Sequence, residues 1–133
     1  MKYLLDTNTC IRFLNRRSPA LVDRLTETPD GEIFVCSVVK AEMFYGSQKS
    51  ARRERNLTVQ RTFFARYVSL PFDDVAAEQY ALLRADLEAR GQPIGANDLL
   101  IAAIALAHDL TLVTHNMSEF ACVSGLRLED WES

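Results

Sequence analysis

Three carboxylates, Asp6, Glu42 and Asp98, stand at places in the chain from which they could act together. Asp6 closes the apolar run Tyr3-Leu4-Leu5 and is followed by the polar pair Thr7-Asn8. Such a run reads as a strand buried on both faces, and open α/β sheets hold their ligands outside the carboxyl ends of such strands. Asp is also a good helix N-cap, so on this stretch alone a capping role and a chemical role compete. Glu42 follows a second apolar run, Ile33-Phe34-Val35-Cys36, and Asp98 opens the apolar helix 99–107. Three acids in one crevice without basic partners repel one another, and a divalent cation relieves that repulsion. Mg²⁺ or Mn²⁺ suits carboxylate and water oxygens of this kind. Zinc is not suggested, because His108 and His115 are the two histidines, seven apart, with no cysteine in ligand spacing. Both read as surface or helix-end imidazoles. Cys10, Cys36 and Cys122 sit in apolar sequence and read as buried free thiols, which suits a reducing compartment.

The elements that must position these acids alternate between strand and helix. Strands are predicted over 3–5, 33–36, 68–70 and 112–114, with 126–128 as a fifth, edge strand. Between them run a short helical pattern through Ile11, Phe13 and Leu14, and a helix started by Ser18-Pro19 and ended before Pro29. A third helix, capped by Ser37, carries Glu42 and breaks at Gly46; a long helical stretch spans 50–67; another, capped by Asp73, runs to Gly91. The alternation implies parallel pairing through right-handed crossovers, hence an α/β fold, a three-layer α/β/α sandwich on a mainly parallel four- or five-stranded sheet.

A length of 133 residues, 48% hydrophobic and 25% charged, fits one domain over 1–133 without linker or repeat. No apolar stretch reaches the length of a membrane span and the opening lacks the pattern of a signal peptide, so a cytoplasmic protein with no membrane partner is expected. A net charge of -3 argues against a broad basic face for nucleic acid. One local stretch is basic: from Lys49 to Arg66 six cations and one acid, Glu54, are interleaved with aromatic and aliphatic residues. It reads both as a helix with a solvated basic face and as a phosphate contact, with Arg52, Arg53 and Arg55 as the RNA-binding candidates.

Four segments together resemble the VapC toxins of the PIN-domain ribonuclease family. They are Leu4-Leu5-Asp6-Thr7-Asn8, Val38 to Gly46 around Glu42, Ile94 to Ala103 around Asp98, and Leu112-Val113-Thr114-His115-Asn116 with Phe120. The resemblance runs from residue 2 to about residue 131. It implies a three-layer α/β/α fold and a metal-dependent endoribonuclease, with Asp6, Glu42 and Asp98 as catalytic acids and ligands of Mg²⁺ or Mn²⁺. Many relatives carry a fourth acid after the Leu-Val-Thr strand, where this chain has Asn116; either Asn116 or Glu119 completes the site. Thr7, Asn8 and Thr114 are its supporting polar residues. The resemblance also implies a VapB-type antitoxin that wraps the toxin, contact with operator DNA only through that antitoxin, and a homodimer. Arg53 to Leu57 and Glu129-Asp130-Trp131 resemble the enterobacterial branch, which points to tRNA, cut in the anticodon stem-loop, with initiator tRNA as the leading candidate. Two rivals are weighed. A phosphatase using Asp6 as nucleophile would want a second acid at Asn8, and a catalytically inactive PIN-like binding module would have no use for three mutually repelling acids.

Overall fold

The computed structural model describes residues 1–132. Five strands, β1 (Tyr3–Leu5), β2 (Ile33–Cys36), β3 (Val68–Leu70), β4 (Thr111–Val113) and β5 (Leu128–Glu129), form one sheet in the order β3-β2-β1-β4-β5. Every pairing is parallel, with Leu4 beside Phe34 on one side and Leu112 on the other. The central strands read as unbroken apolar runs because both faces are covered: Leu4, Leu5, Val35 and Leu112 are fully buried. Burying each such side chain is worth roughly 1.5–3 kcal/mol.

Helices flank the sheet and complete the three-layer α/β sandwich. They are α1 (Thr7–Leu14), α2 (Pro19–Glu27), α3 (Ser37–Gln48), α4 (Arg53–Phe64), α5 (Asp74–Ala89), α6 (Ala96–Ala107) and the short α7 (Met117–Phe120). Ser18 caps α2 through the Leu21 N–H at 3.2 Å, with Pro19 at its first position, and Asp73 caps α5 through the Ala76 N–H at 3.0 Å. At the far end of α5 the Gln92 N–H reaches Leu87 O while Gly91, at φ +65°, supplies the left-handed turn that closes the helix. The apolar helix α6 is covered nearly all round, with Ile101, Ala102, Ala103, Ile104 and Ala105 fully buried. No helix of the described residues is long and apolar enough to cross a membrane.

Several expected boundaries shift. Helix α3 does not break at Gly46 but runs to Gln48, because burial of Met43 and Ser47 on either side outweighs the cost of about 1 kcal/mol for a helical glycine. Its N-cap is Cys36, not Ser37, which is already helical. The stretch 50–67 is helical only over Arg53–Phe64, β4 ends at Val113, and the edge strand is Leu128–Glu129. Cys10 and Cys36 are buried free thiols as expected, whereas Cys122 is half-buried.

The topology fixes where a site can form. From β1 the chain crosses to β2 on one side, and from β4 it crosses to β5 on the other. Adjacent parallel strands whose connections leave in opposite directions open a crevice beyond their carboxyl ends. Asp6 and Thr114 are the residues that follow β1 and β4.

Candidate active site

Asp6 is 3% exposed, and its Oδ1 accepts the Thr9 N–H at 2.8 Å, which caps α1. The Thr114 hydroxyl, fully buried, also hydrogen-bonds the Asp6 carboxylate. Burial pushes the Asp6 carboxyl above its ordinary range, and the bonds from Thr114 and Thr9 pull it part of the way back. Capping role and crevice position thus belong to one residue. On α3, Glu42 Oε1 accepts the Thr7 hydroxyl at 2.6 Å, which ties the first turn of α1 to α3.

Asp98, in the first turn of α6, is half-buried, and its carboxyl is pushed up to about 7. Desolvation is the largest cause, then a hydrogen bond and charge from Glu119, then the charges of Asp6 and Glu42. The three acids singled out in the sequence therefore share one electrostatic site, and Glu119 joins it. The Glu119 carboxylate accepts the Gly95 N–H at 2.8 Å through Oε1 and the Asn116 Nδ2 at 2.6 Å through Oε2. A Cβ on Gly95 would lie 3.6 Å from Glu119 Oε1 and 3.8 Å from Asp98 Oδ2, so both carboxyls hang over this one backbone position. Asn116 in turn donates its backbone N–H to Thr114 Oγ1 at 3.0 Å. A chain of hydrogen bonds runs from Asp6 through Thr114, Asn116 and Glu119 to Asp98.

Other expected residues are placed less centrally. Asn8 is exposed. Arg52 and Arg53 lie in the open at the start of α4, where Arg53 Nε stands 3.9 Å from Glu54; Arg55, although exposed, lines a cleft that it shares with Glu42. His115 is a surface group 3.0 Å from Asp130, and His108 caps the end of α6. The sequence reading missed Thr9 and the backbone of Gly95. Thr9 was accessible, since a capping Asp bonds the N–H three residues on. No pattern of residue types marks the use of the Gly95 N–H.

Among the described residues no ion pair involves Asp6, Glu42, Asp98 or Glu119. Nor are three or more Asp, Glu, His or Cys side chains among them arranged to hold a metal ion as they stand. Their oxygens are turned to Thr9, Thr7, Gly95 and Asn116 instead. The donor set itself is all oxygen, strongly anionic and without a protein cation, which fits a hard divalent ion once the carboxylates turn inward.

The family model of the PIN domain matches residues 3–124, and the chain belongs to the PIN-domain family. Within that family it is similar over almost its whole length to VapC proteins. It is 40% identical to the tRNA(fMet)-specific endonuclease VapC of Shigella flexneri and 37% identical to that of Salmonella typhimurium, covering 98% of each chain in both cases. Its fold is similar to the DNA-bound VapBC of Salmonella typhimurium at a TM-score of 0.93, 36% identity and 98% coverage of both chains. It is also similar to VapBC2 of Rickettsia felis bound to a promoter DNA fragment, at a TM-score of 0.89 and 36% identity, covering 98% of this chain and 99% of that one.

Proposed function

We propose that residues 1–133 form one PIN-like domain that acts as the endoribonuclease toxin of a type II toxin–antitoxin pair. The observation that carries this reading is the convergence of Asp6, Glu42, Asp98 and Glu119 at the sheet's switch point, with no ion-pair partner for any of them among the described residues. The names of the VapC relatives support the same activity. Asp6, Glu42 and Asp98 would hold Mg²⁺ or Mn²⁺, with Glu119 as the fourth acid and Asn116 beside it. When bound, the ion supplies Lewis-acid charge for the phosphoryl group and lowers the pKa of water.

This chain's own residues do the rest. Thr114 and Thr9 hold the Asp6 carboxylate in one orientation, and Thr7 does the same for Glu42. Asn116 and the Gly95 N–H fix Glu119 beside Asp98, and a divalent ion held there would favour the ionised form of Asp98. The dipole of α6, in whose first turn Asp98 sits, works against the upward push on that carboxyl. Arg55, with Arg52 and Arg53 behind it, contacts RNA phosphates.

The substrate is a tRNA, cut in its anticodon stem-loop, and initiator tRNA is the leading candidate because two relatives are named for that specificity. A VapB-type antitoxin is the partner, as in the VapBC complexes this fold resembles, and brings the toxin to DNA only indirectly. The toxin is a cytoplasmic homodimer in this reading. The test is incubation of partner-free protein with total cellular RNA and Mg²⁺ or Mn²⁺, followed by sequencing of the new 5′ ends. Discrete cuts in one or a few tRNAs, lost in Asp6→Ala and with chelator, are expected. RNA left intact by wild type, yet still bound, would transfer the reading to an inactive binding module.

A further inference from the structure

Beside the acids lies a cleft of about 460 Å³ between α1, α3 and α4, and Glu42 forms the border between the two. Three carboxamides line it, Asn15, Asn56 and Gln60, together with Arg55. Asn56 Nδ2 donates to Ser50 Oγ at 3.0 Å, which fixes that side chain and leaves its oxygen as an acceptor. Gln60 Oε1 is shut off from solvent and has no hydrogen-bond partner among the described residues, an uncommon state for a buried polar atom. Met43 and Val59 give the cleft apolar walls, and Glu42 is its one acid.

Carboxamides and guanidinium forks read base edges, because each pairs with two groups of a base at once. Sequence-selective reading of RNA in this way needs a base that has left the stack, as in a loop. A nucleobase has flat apolar faces and a polar edge, which matches apolar walls carrying amide groups. We propose that the α1–α3–α4 cleft is a nucleobase pocket that takes one unstacked base next to the phosphodiester to be cut, read by Asn56 and Gln60, with Arg55 on the adjoining phosphate. The proposal rests on the endoribonuclease reading and adds to it the source of sequence choice. Glu42 belongs to both cleft and acid cluster, so a base held here lies beside the bond that the acids address.

The test uses an initiator-tRNA anticodon stem-loop carrying 2-aminopurine at one loop position at a time. It is bound to full-length protein with Asp6→Asn to prevent cutting, and cleavage of the unlabelled stem-loop is measured in the otherwise native chain. Val59→Trp fills the cleft from a residue 46% exposed, Gln60→Leu removes an amide at nearly constant volume, and Arg55→Gln alters an exposed position that folding does not depend on. One loop position should change fluorescence on binding, and the change should be lost in Val59→Trp. Each variant should lose about tenfold or more in kcat/KM, mostly through KM, with unchanged Mn²⁺ affinity. Folded variants that bind and cut like wild type would overturn the pocket and leave the nuclease standing. Variants weakened only towards the antitoxin would make the cleft a protein groove and overturn it too. A wild type that neither binds nor cuts any RNA would overturn both readings.

Discussion

Glu129 and Glu132 each face an arginine, Arg24 at 3.2 Å and Arg12 at 2.6 Å, and Asp130 lies 3.0 Å from the His115 ring. Asp6, Glu42, Asp98 and Glu119 face none among the described residues, although they lie close enough to perturb one another. In the first region Glu132 and Glu129 stitch the end of the chain to α1 and α2, around Trp131, which is 4% exposed, packs edge-on against Tyr3 at 4.9 Å and lies beneath Arg24 at 4.7 Å. In the second, hydroxyls and amides orient the acids without cancelling their charge. Paired acids of the first kind hold elements together, whereas unneutralised acids at a switch point cost stability.

The sharpest way to break that contrast is to remove charge from the second region. Asp6→Asn or Asp98→Asn should lower RNA cutting by about 10³-fold or more while leaving the far-ultraviolet circular dichroism unchanged. A Thr114→Ala protein, which loses only the hydroxyl that orients Asp6, should fall by about 10–100-fold in the same assay. Changing the first region should do the reverse. Trp131→Ala should cost about 3–5 kcal/mol in denaturant unfolding, yet leave kcat per folded molecule near the wild-type value.

Acidity offers a subtler comparison. Because the folded Asp98 carboxyl is pushed up to about 7 from 3.8, the folded chain keeps a proton that the unfolded chain releases in between. Without divalent ions the stability tied to this group is present at low pH and falls as pH rises towards about 7. The melting temperature in chelator should therefore be lower at pH 8 than at pH 5, the slope should flatten in Asp98→Asn, and Mg²⁺ should raise it most at pH 8. The smallest effect is expected from Arg24→Ala, which breaks an exposed pair and should change stability by no more than about 1 kcal/mol.

How much of this was legible in the sequence follows from what kind of signal each feature leaves. The strands declared themselves as apolar runs because both sheet faces are buried, and Asp6 was visible because such a run ends on an acid. Glu42 and Asp98 followed from their order relative to the strands. The choice between Asn116 and Glu119 was not legible, since it depends on the single turn of α7, which places the Glu119 carboxylate on the Gly95 N–H and lets Asn116 clamp it. An Asp at position 116 could not donate that bond. The continuation of α3 through Gly46 was hidden for a similar reason: local propensity favoured a break, and packing of Met43 and Ser47 overrode it. Of the three arginines proposed for RNA, only the fold separates Arg55, which reaches the cleft beside Glu42, from Arg52 and Arg53, which do not line it.

The most direct measurement is calorimetric titration of Mg²⁺ and Mn²⁺ into chelator-treated protein near pH 7.5, comparing wild type with Asp98→Asn and with Glu129→Gln. Wild type and Glu129→Gln should bind the ion with similar affinity, and Asp98→Asn should not bind it measurably. Equal binding by all three, or none by wild type, would contradict the claim that the crevice acids are a cation site and the C-terminal acids are not.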